Sequence, residues 1–191
     1  DATFIPYPFD FPVHGRDPLD APWYSGMAQG QALSAFVRLF EVTGNQTYKN
    51  FADRLFLSLT QHKSSDDPNI PWVTIVDKNG FLWFEEYAKG NYGDYTYNGH
   101  MYAVMGLYDY HRLTEDPVAL KLYQGGMTTI RRYAEEIRNP GDVSSYCLVH
   151  PDVKSKSYHE VHIRELRLFS RMTGDPTFDQ IAALFRQDYT P

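Results

Sequence analysis

Cysteine is almost absent from this chain of 191 residues: Cys147 stands alone, so no internal disulfide can form, and a Cys-rich zinc site or a disulfide scaffold is excluded. Long apolar runs are missing too. No stretch of about 18 uncharged apolar residues occurs, which excludes a membrane-spanning helix. Positive charge is in short supply: 18 Lys and Arg stand against 24 Asp and Glu, a formal net charge of -6. That balance argues against a nucleic-acid binder held by a basic face. No glycine-rich phosphate loop is present, and no Ser or Cys lies in a recognisable nucleophile turn. The chain opens on Asp1 rather than Met, and DATFIPYPFDFPVHGRDPLDAP is Pro-rich without the apolar core of a signal peptide. Upstream chain is therefore expected to have been removed. What is present, 42% apolar and 16% aromatic residues, suffices for one ordinary folded domain. Residues 1–191 are read as that domain, with an extended Pro-rich lead-in over 1–21, belonging to a longer chain.

Three short segments resemble one another: LFEVTGNQTYKNFA at 39–52, YHRLTEDPVALKLY at 110–123 and LFSRMTGDPTFDQIA at 168–182. Each reads as a helix, a tight turn and a second helix. Gly44 and Gly174 can take the left-handed conformation that ends a helix. Asn45, Asp116 and Asp175 can cap the next one, and Pro117 and Pro176 suit a first helical position. Met27, Gly30, Leu33, Phe36, Val37 and Phe40 recur at helical steps. The helix after Asn98 is apolar on most of its circumference and is placed inside, whereas 117–138 and 176–188 carry polar faces and are placed outside. PWVTIVDKNGFLWFEEY at 71–87 interrupts the helices with a hairpin about Lys78-Asn79-Gly80. The expected fold is mainly α, a partial α/α toroid of helical hairpins with one inserted β-hairpin.

Aromatic and titratable residues gather in and beside two loops, 88–99 and 139–157. Tyr87, Tyr92, Tyr95, Tyr97, Tyr146 and Tyr158 lie there with Glu85, Glu86, His150, His159 and His162. Such rings present a flat apolar face and a polar tip, suited to stacking on sugars; the plainer reading is that each fills a gap between helices. Glu85 and Glu86 are expected on opposite faces, one entering a cleft and the other a solvated surface charge. His159 and His162, three residues apart, can face one way, but HEVH lacks the HExxH spacing and no third ligand is evident, so no metal site is expected.

The segments PWYSGMAQGQALSAFVRLF at 22–40, EEY at 85–87, NGHMYAVMGLYDY at 98–110 and SYHEVHIRELRLFSRMTGD at 157–175 resemble the C-terminal catalytic region of D-glucuronyl C5-epimerases. Those enzymes act on heparan sulfate precursor, heparosan, and related uronic-acid polysaccharides. The resemblance runs in order over about 20–188. It implies Tyr87, Tyr146, Tyr158 and Glu86 as catalytic residues; His150, His159, Arg164, Lys156, Trp23, Tyr24, Gln29 and Asn98 are the candidate substrate-binding residues. The family's Y-D-L-R-H-like segment reads Tyr146-Cys147-Leu148-Val149-His150 here, so its Asp and Arg are replaced. The resemblance further implies an acidic polysaccharide as partner, no cofactor, a homodimer as its common assembly, and an extracytoplasmic or secretory-lumen location.

Inverting C5 of a uronic acid means removing a proton beside a carboxylate and returning it from the other face. Such a site needs two opposed acid/base groups and strong donors at the carboxylate. Tyr158 and either Glu86 or Tyr87 are the expected opposed groups, with Tyr146 and His159 assisting. Two rivals stand beside this reading: a polysaccharide lyase or hydrolase on the same toroid, since fold does not fix reaction, and a non-catalytic glycan-binding relative.

Overall fold

The computed structural model describes residues 1–64, 67 and 70–189. Two short antiparallel hairpins, β1 (Phe11–Val13) with β2 (Asp17–Leu19) and β3 (Thr74–Val76) with β4 (Leu82–Phe84), accompany six helices. The helices are α1 (Gly26–Thr43), α2 (Gln46–Leu59), α3 (Tyr97–Thr114), α4 (Pro117–Ile137), α5 (Lys156–Thr173) and α6 (Thr177–Asp188). The chain forms two compact units, one of residues 1–93 and 99–129, the other of 94–98 and 130–191.

Each helical turn closes as its residues demand. Gly44 and Gly174 adopt φ 66° and 72°, and their N–H groups donate to Phe40 and Ser170 carbonyls, satisfying acceptors that a helix end leaves open. Asn45 Oδ1 accepts from Thr47 N–H, Asp116 Oδ1 from Val118 and Ala119, and Asp175 Oδ1 from Thr177. In the middle turn Glu115 takes the left-handed position at φ 56° and donates its N–H to His111 O. A side chain is strained there, and Glu115 is exposed. Glu115→Gly is therefore expected to stabilise by about 0.5–1 kcal/mol, read as a melting temperature raised by roughly 1–4 °C. An unchanged or lower value would count against strain at this turn.

In the first unit α1 and α2 form an antiparallel hairpin that buries Leu33, Val37, Ala52, Leu55 and Leu59. Helix α3 is covered on nearly every side: Met101, Ala103, Val104 and Leu107 are fully buried, as expected of an inner helix. It meets α1 through two glycines. A Cβ at Gly106 would lie 2.2 Å from Gly30 O, and one at Gly30 would lie 2.4 Å from Ala103 Cα. The β3–β4 turn is held by Asp77, whose Oδ1 accepts from Asn79 and Phe81 N–H and whose Oδ2 accepts from Trp83 Nε1. Gly80 supplies φ 86°.

The stretch expected to be an extended lead-in contains a second hairpin. His14 and Gly15 both have positive φ, 54° and 70°, and Arg16 N–H closes onto Val13 O. That is the primed turn whose twist suits a hairpin. It turns Val13 and Leu19 inward against Trp23 to form a small core.

In the second unit α5 and α6 form the third helical hairpin. Ile163, Leu166, Phe169, Phe178, Ala182 and Phe185 are buried, and Arg186 makes a two-pronged contact with Glu160 at 2.6 Å. Arg138, at the end of α4, holds Asp188 in the same bidentate manner at 2.8 Å. The loop after α4 is pinned by backbone bonds. Tyr97 N–H donates to Tyr146 O, Leu148 N–H to Tyr95 O, Tyr146 N–H to Val153 O and Ser145 N–H to Ile137 O. Its length thus reflects construction rather than slack.

Candidate active site

In the first unit, Glu86, Tyr87 and Trp23 line one cavity of about 210 Å³, together with Tyr7, Phe9, Phe11, Ser25 and Met27. Tyr7 stacks on Trp23 with centroids 4.0 Å apart and planes 11° from parallel, and Phe11 stacks on both Trp23 and Tyr87. The result is a run of apolar faces beside one carboxylate. Burial and the negative charge of Glu86 hold the Tyr7 phenol above its usual range, opposed by a hydrogen bond with Ser25. Sequence reasoning did not single out Tyr7 or Phe11. The alternation Tyr7, Phe9, Phe11 in the Pro-rich opening was the available signal.

The two adjacent glutamates differ from expectation. Glu85 is not a solvated surface charge: it is 0% exposed and Glu86 only 5%. The strand ends at Phe84, and the chain then turns so that each carboxylate enters protein. Glu85 lies against Gly93 and Glu86 against Gly99, where added Cβ atoms would meet carboxylate oxygens at 3.2 and 2.2 Å.

Gln29, expected to bind substrate, is committed to the fold. It is fully buried; its Nε2 donates to Thr3 O and Ser58 Oγ, and its Oε1 accepts from Ile5 N–H. Tyr24 lines a separate cavity of about 200 Å³ with Pro22, Trp72 and Lys89. A residue missed in sequence, His100, is fully buried, accepts the Phe84 N–H on Nδ1 and contacts Gly126 O through Nε2.

In the second unit the rings of Tyr146 and Tyr158 meet edge to face at 4.5 Å. Tyr146 is buried, and Tyr158 at 38% exposure faces solvent. His159, predicted to contact substrate, is 1% exposed and works internally: its Nδ1 accepts from Ser144 N–H, and the Ser144 hydroxyl bridges it to His162 Nδ1 at 3.0 and 2.9 Å. Lys156 lies 5.4 Å from the Tyr189 ring, Arg164 is exposed on α5, and Asn98 is buried at 2%, its Oδ1 without a hydrogen-bond partner among the described residues. His150 joins Asp94 and Cys147. Its Nδ1 lies 3.0 Å from Asp94 Oδ1 and 3.8 Å from Cys147 Sγ. Burial pushes the Cys147 thiol up, and the Asp94 charge adds to that.

Burial lowers His100 from 6.5 to about 4 and His162 to about 3, the latter with help from His159. Between those values and 6.5 the unfolded chain binds protons that the folded chain refuses, so the stability present above pH 6.5 is lost as pH falls. The loss is on the order of 3 kcal/mol for His100 alone. Urea midpoints are expected to fall steadily from pH 6.5 to 4.5, and less steeply in His100→Gln. Equal slopes in the two proteins would reject His100 as a source.

The family model for the D-glucuronyl C5-epimerase C-terminus matches residues 1–187. The chain belongs to that family. Among its relatives, an uncharacterised protein of Methanocaldococcus jannaschii is 28% identical over 182 residues, covering 93% of this chain and 56% of that protein. A D-glucuronyl C5-epimerase of Caenorhabditis elegans is 26% identical over 178 residues, covering 84% of this chain and 28% of that protein. The chain thus spans little more than half of one relative and about a quarter of the other. Two solved structures share the fold. Cellobiose 2-epimerase from Spirochaeta thermophila matches 85% of this chain and 42% of its own, with TM-score 0.59 and 13% identity. A family 76 glycoside hydrolase (mannosidase) from Bacteroides thetaiotaomicron matches 96% and 46%, with TM-score 0.61 and 16% identity. The fold is mainly α, a partial α/α toroid of helical hairpins, with two small β-hairpins in place of the single one expected.

Proposed function

We propose that this chain carries the acid/base groups of an epimerase that inverts C5 of D-glucuronyl residues in an acidic polysaccharide. The observation that carries the reading is the edge-to-face meeting of Tyr146 and Tyr158, two of the three tyrosines singled out by the family's motifs, in a chain matched by the family model over residues 1–187.

The chemistry follows from the charge problem. A uronate carboxylate must take on further negative density when the C5 proton leaves, so the proton must be received by a positioned base while donors face the carboxylate. A phenol with an ordinary pKa near 10 is a competent base once ionised and a good acid when neutral. Tyr158 presents its ring to solvent and so can reach a polymer; Tyr146, behind it, fixes the ring's orientation. The family's motifs also single out Glu86 and Tyr87 as proton-transfer candidates. Glu86 stands at the wall of an aromatic cavity, and Trp23, Phe11 and Tyr87 offer flat faces of the kind that pack on pyranose rings.

Incubating heparosan with the protein in D2O tests the reading directly. Deuterium at C5 together with iduronyl residues is the expected product. Release of an unsaturated uronate absorbing in the ultraviolet would replace the epimerase by a lyase, and a polymer recovered without deuterium would reject proton transfer at C5.

A further inference from the structure

Three potential metal ligands of different chemistry converge in the second unit. Asp94 is fully buried, Cys147 is fully buried, and the His150 side chain is 15% exposed. Their ligand atoms all lie within 4.8 Å of one another. We propose that Asp94, Cys147 and His150 bind one transition-metal ion of the zinc type, through Oδ1, Sγ and Nδ1.

Zinc bond lengths set the scale of such a site. Bonds of about 2.0–2.3 Å at tetrahedral angles place neighbouring ligand atoms roughly 3.3–3.7 Å apart. The separations of 3.0 Å from His150 Nδ1 to Asp94 Oδ1 and 3.8 Å from His150 Nδ1 to Cys147 Sγ lie within a few tenths of an ångström of that range. The donor set selects the metal class: a thiolate and an imidazole favour zinc-like ions over magnesium or calcium, which prefer oxygen alone.

The surroundings are built to hold these atoms. Thr96 Oγ1 donates to Asp94 Oδ2, which fixes the carboxylate plane, the task of outer groups around a metal. His150 N–H donates to Cys147 Sγ at 3.3 Å, a bond that grows stronger when sulfur carries negative charge. Tyr95, between Asp94 and Thr96, is held at φ 54°. That conformation is costly for a bulky residue and concentrates at functional positions. The Thr96–Cys147 bridge and the Leu148 N–H to Tyr95 O bond tie the two ligand-bearing segments together. On loading, the thiol proton passes to solvent and His150 carries its remaining proton on Nε2. On the epimerase reading, the ion also brings positive charge to the segment carrying Tyr146. The metal site does not rest on that reading, and its test needs no substrate.

Chelator-stripped protein titrated with Co2+ decides the matter. One equivalent is expected to bind with a thiolate-to-cobalt charge-transfer band that Zn2+ abolishes by displacement. The band is expected to vanish in Cys147→Ser, and binding to weaken about 10- to 100-fold in Thr96→Val, which loses only the outer hydroxyl. His150→Ala, altered at a partly exposed side chain, serves as the second ligand variant and is expected to lose uptake with its circular dichroism unchanged. No charge-transfer band in the unaltered protein, or equal Co2+ uptake by the unaltered protein and His150→Ala, would overturn the assignment.

Discussion

Gly106→Ala is expected to lower stability by more than about 3 kcal/mol, enough to reduce the melting temperature of a chain this size by roughly 6–12 °C. The added methyl group would lie 2.2 Å from Gly30 O and 2.8 Å from Gly30 Cα. Both atoms belong to backbone, so no side chain can rotate away. Helices α1 and α3 would have to part, and parting them opens voids along the contact of Gly30 with Ala103 and Gly106. Voids of that kind forfeit packing that cannot be recovered by small adjustments. Gly125→Ala is the informative partner experiment. Its methyl group would meet Leu82 Cδ2 at 3.1 Å, the far end of a flexible side chain, and the cost is expected to stay below about 1 kcal/mol. Thermal or urea unfolding of the two variants side by side is the measurement. Equal, small losses in both would show that the α1–α3 contact can relax.

On the proposed epimerase reading, Tyr158→Phe is expected to reduce epimerisation by about 10²- to 10⁴-fold, the usual contribution of a positioned acid or base, while leaving the melting temperature within about 2 °C. The substitution removes one oxygen from a ring that is 38% exposed and keeps the edge-to-face contact with Tyr146. Packing is preserved and chemistry is not. The loss should fall on kcat rather than KM, since a proton-transfer group acts in the transition state. C5 deuterium exchange per unit time, measured with saturating polysaccharide, reads this directly. A variant retaining more than a third of the rate would remove Tyr158 from the reaction.

The helical hairpins were legible because their signals are local. Gly44 before Asn45 and Gly174 before Asp175 each specify a left-handed residue followed by a cap, and both turns form so. The β1–β2 hairpin was hidden for the same reason turned around. Its turn uses His14-Gly15 rather than Asn-Gly, and Pro12 faces Pro18 in its register, residues that argue against a strand except in a ribbon with no further neighbour to serve. Glu85 was misplaced because strand alternation was carried past Phe84, where the strand ends. Gln29 and His159 were legible as special residues but not as internal ones, since a buried amide and a solvent-facing amide look alike until Thr3, Ile5, Ser58 and Ser144 are brought to them by the fold. No metal site was expected, because HEVH lacks the HExxH spacing and no third ligand is evident beside it. Asp94 lies more than fifty residues from Cys147, and no spacing rule spans that distance.

The backbone bonds from Tyr97 to Tyr146, Leu148 to Tyr95 and Tyr146 to Val153 decide when conformational freedom is surrendered. Residues 145–153 are ordered as the polypeptide folds, so on the proposed epimerase reading a polymer docking against Tyr158 would meet a prepaid scaffold and need not freeze a wandering segment on contact. Calorimetry of oligosaccharide association should accordingly show no large ordering penalty from this stretch, and its amide protons should exchange slowly in the free protein.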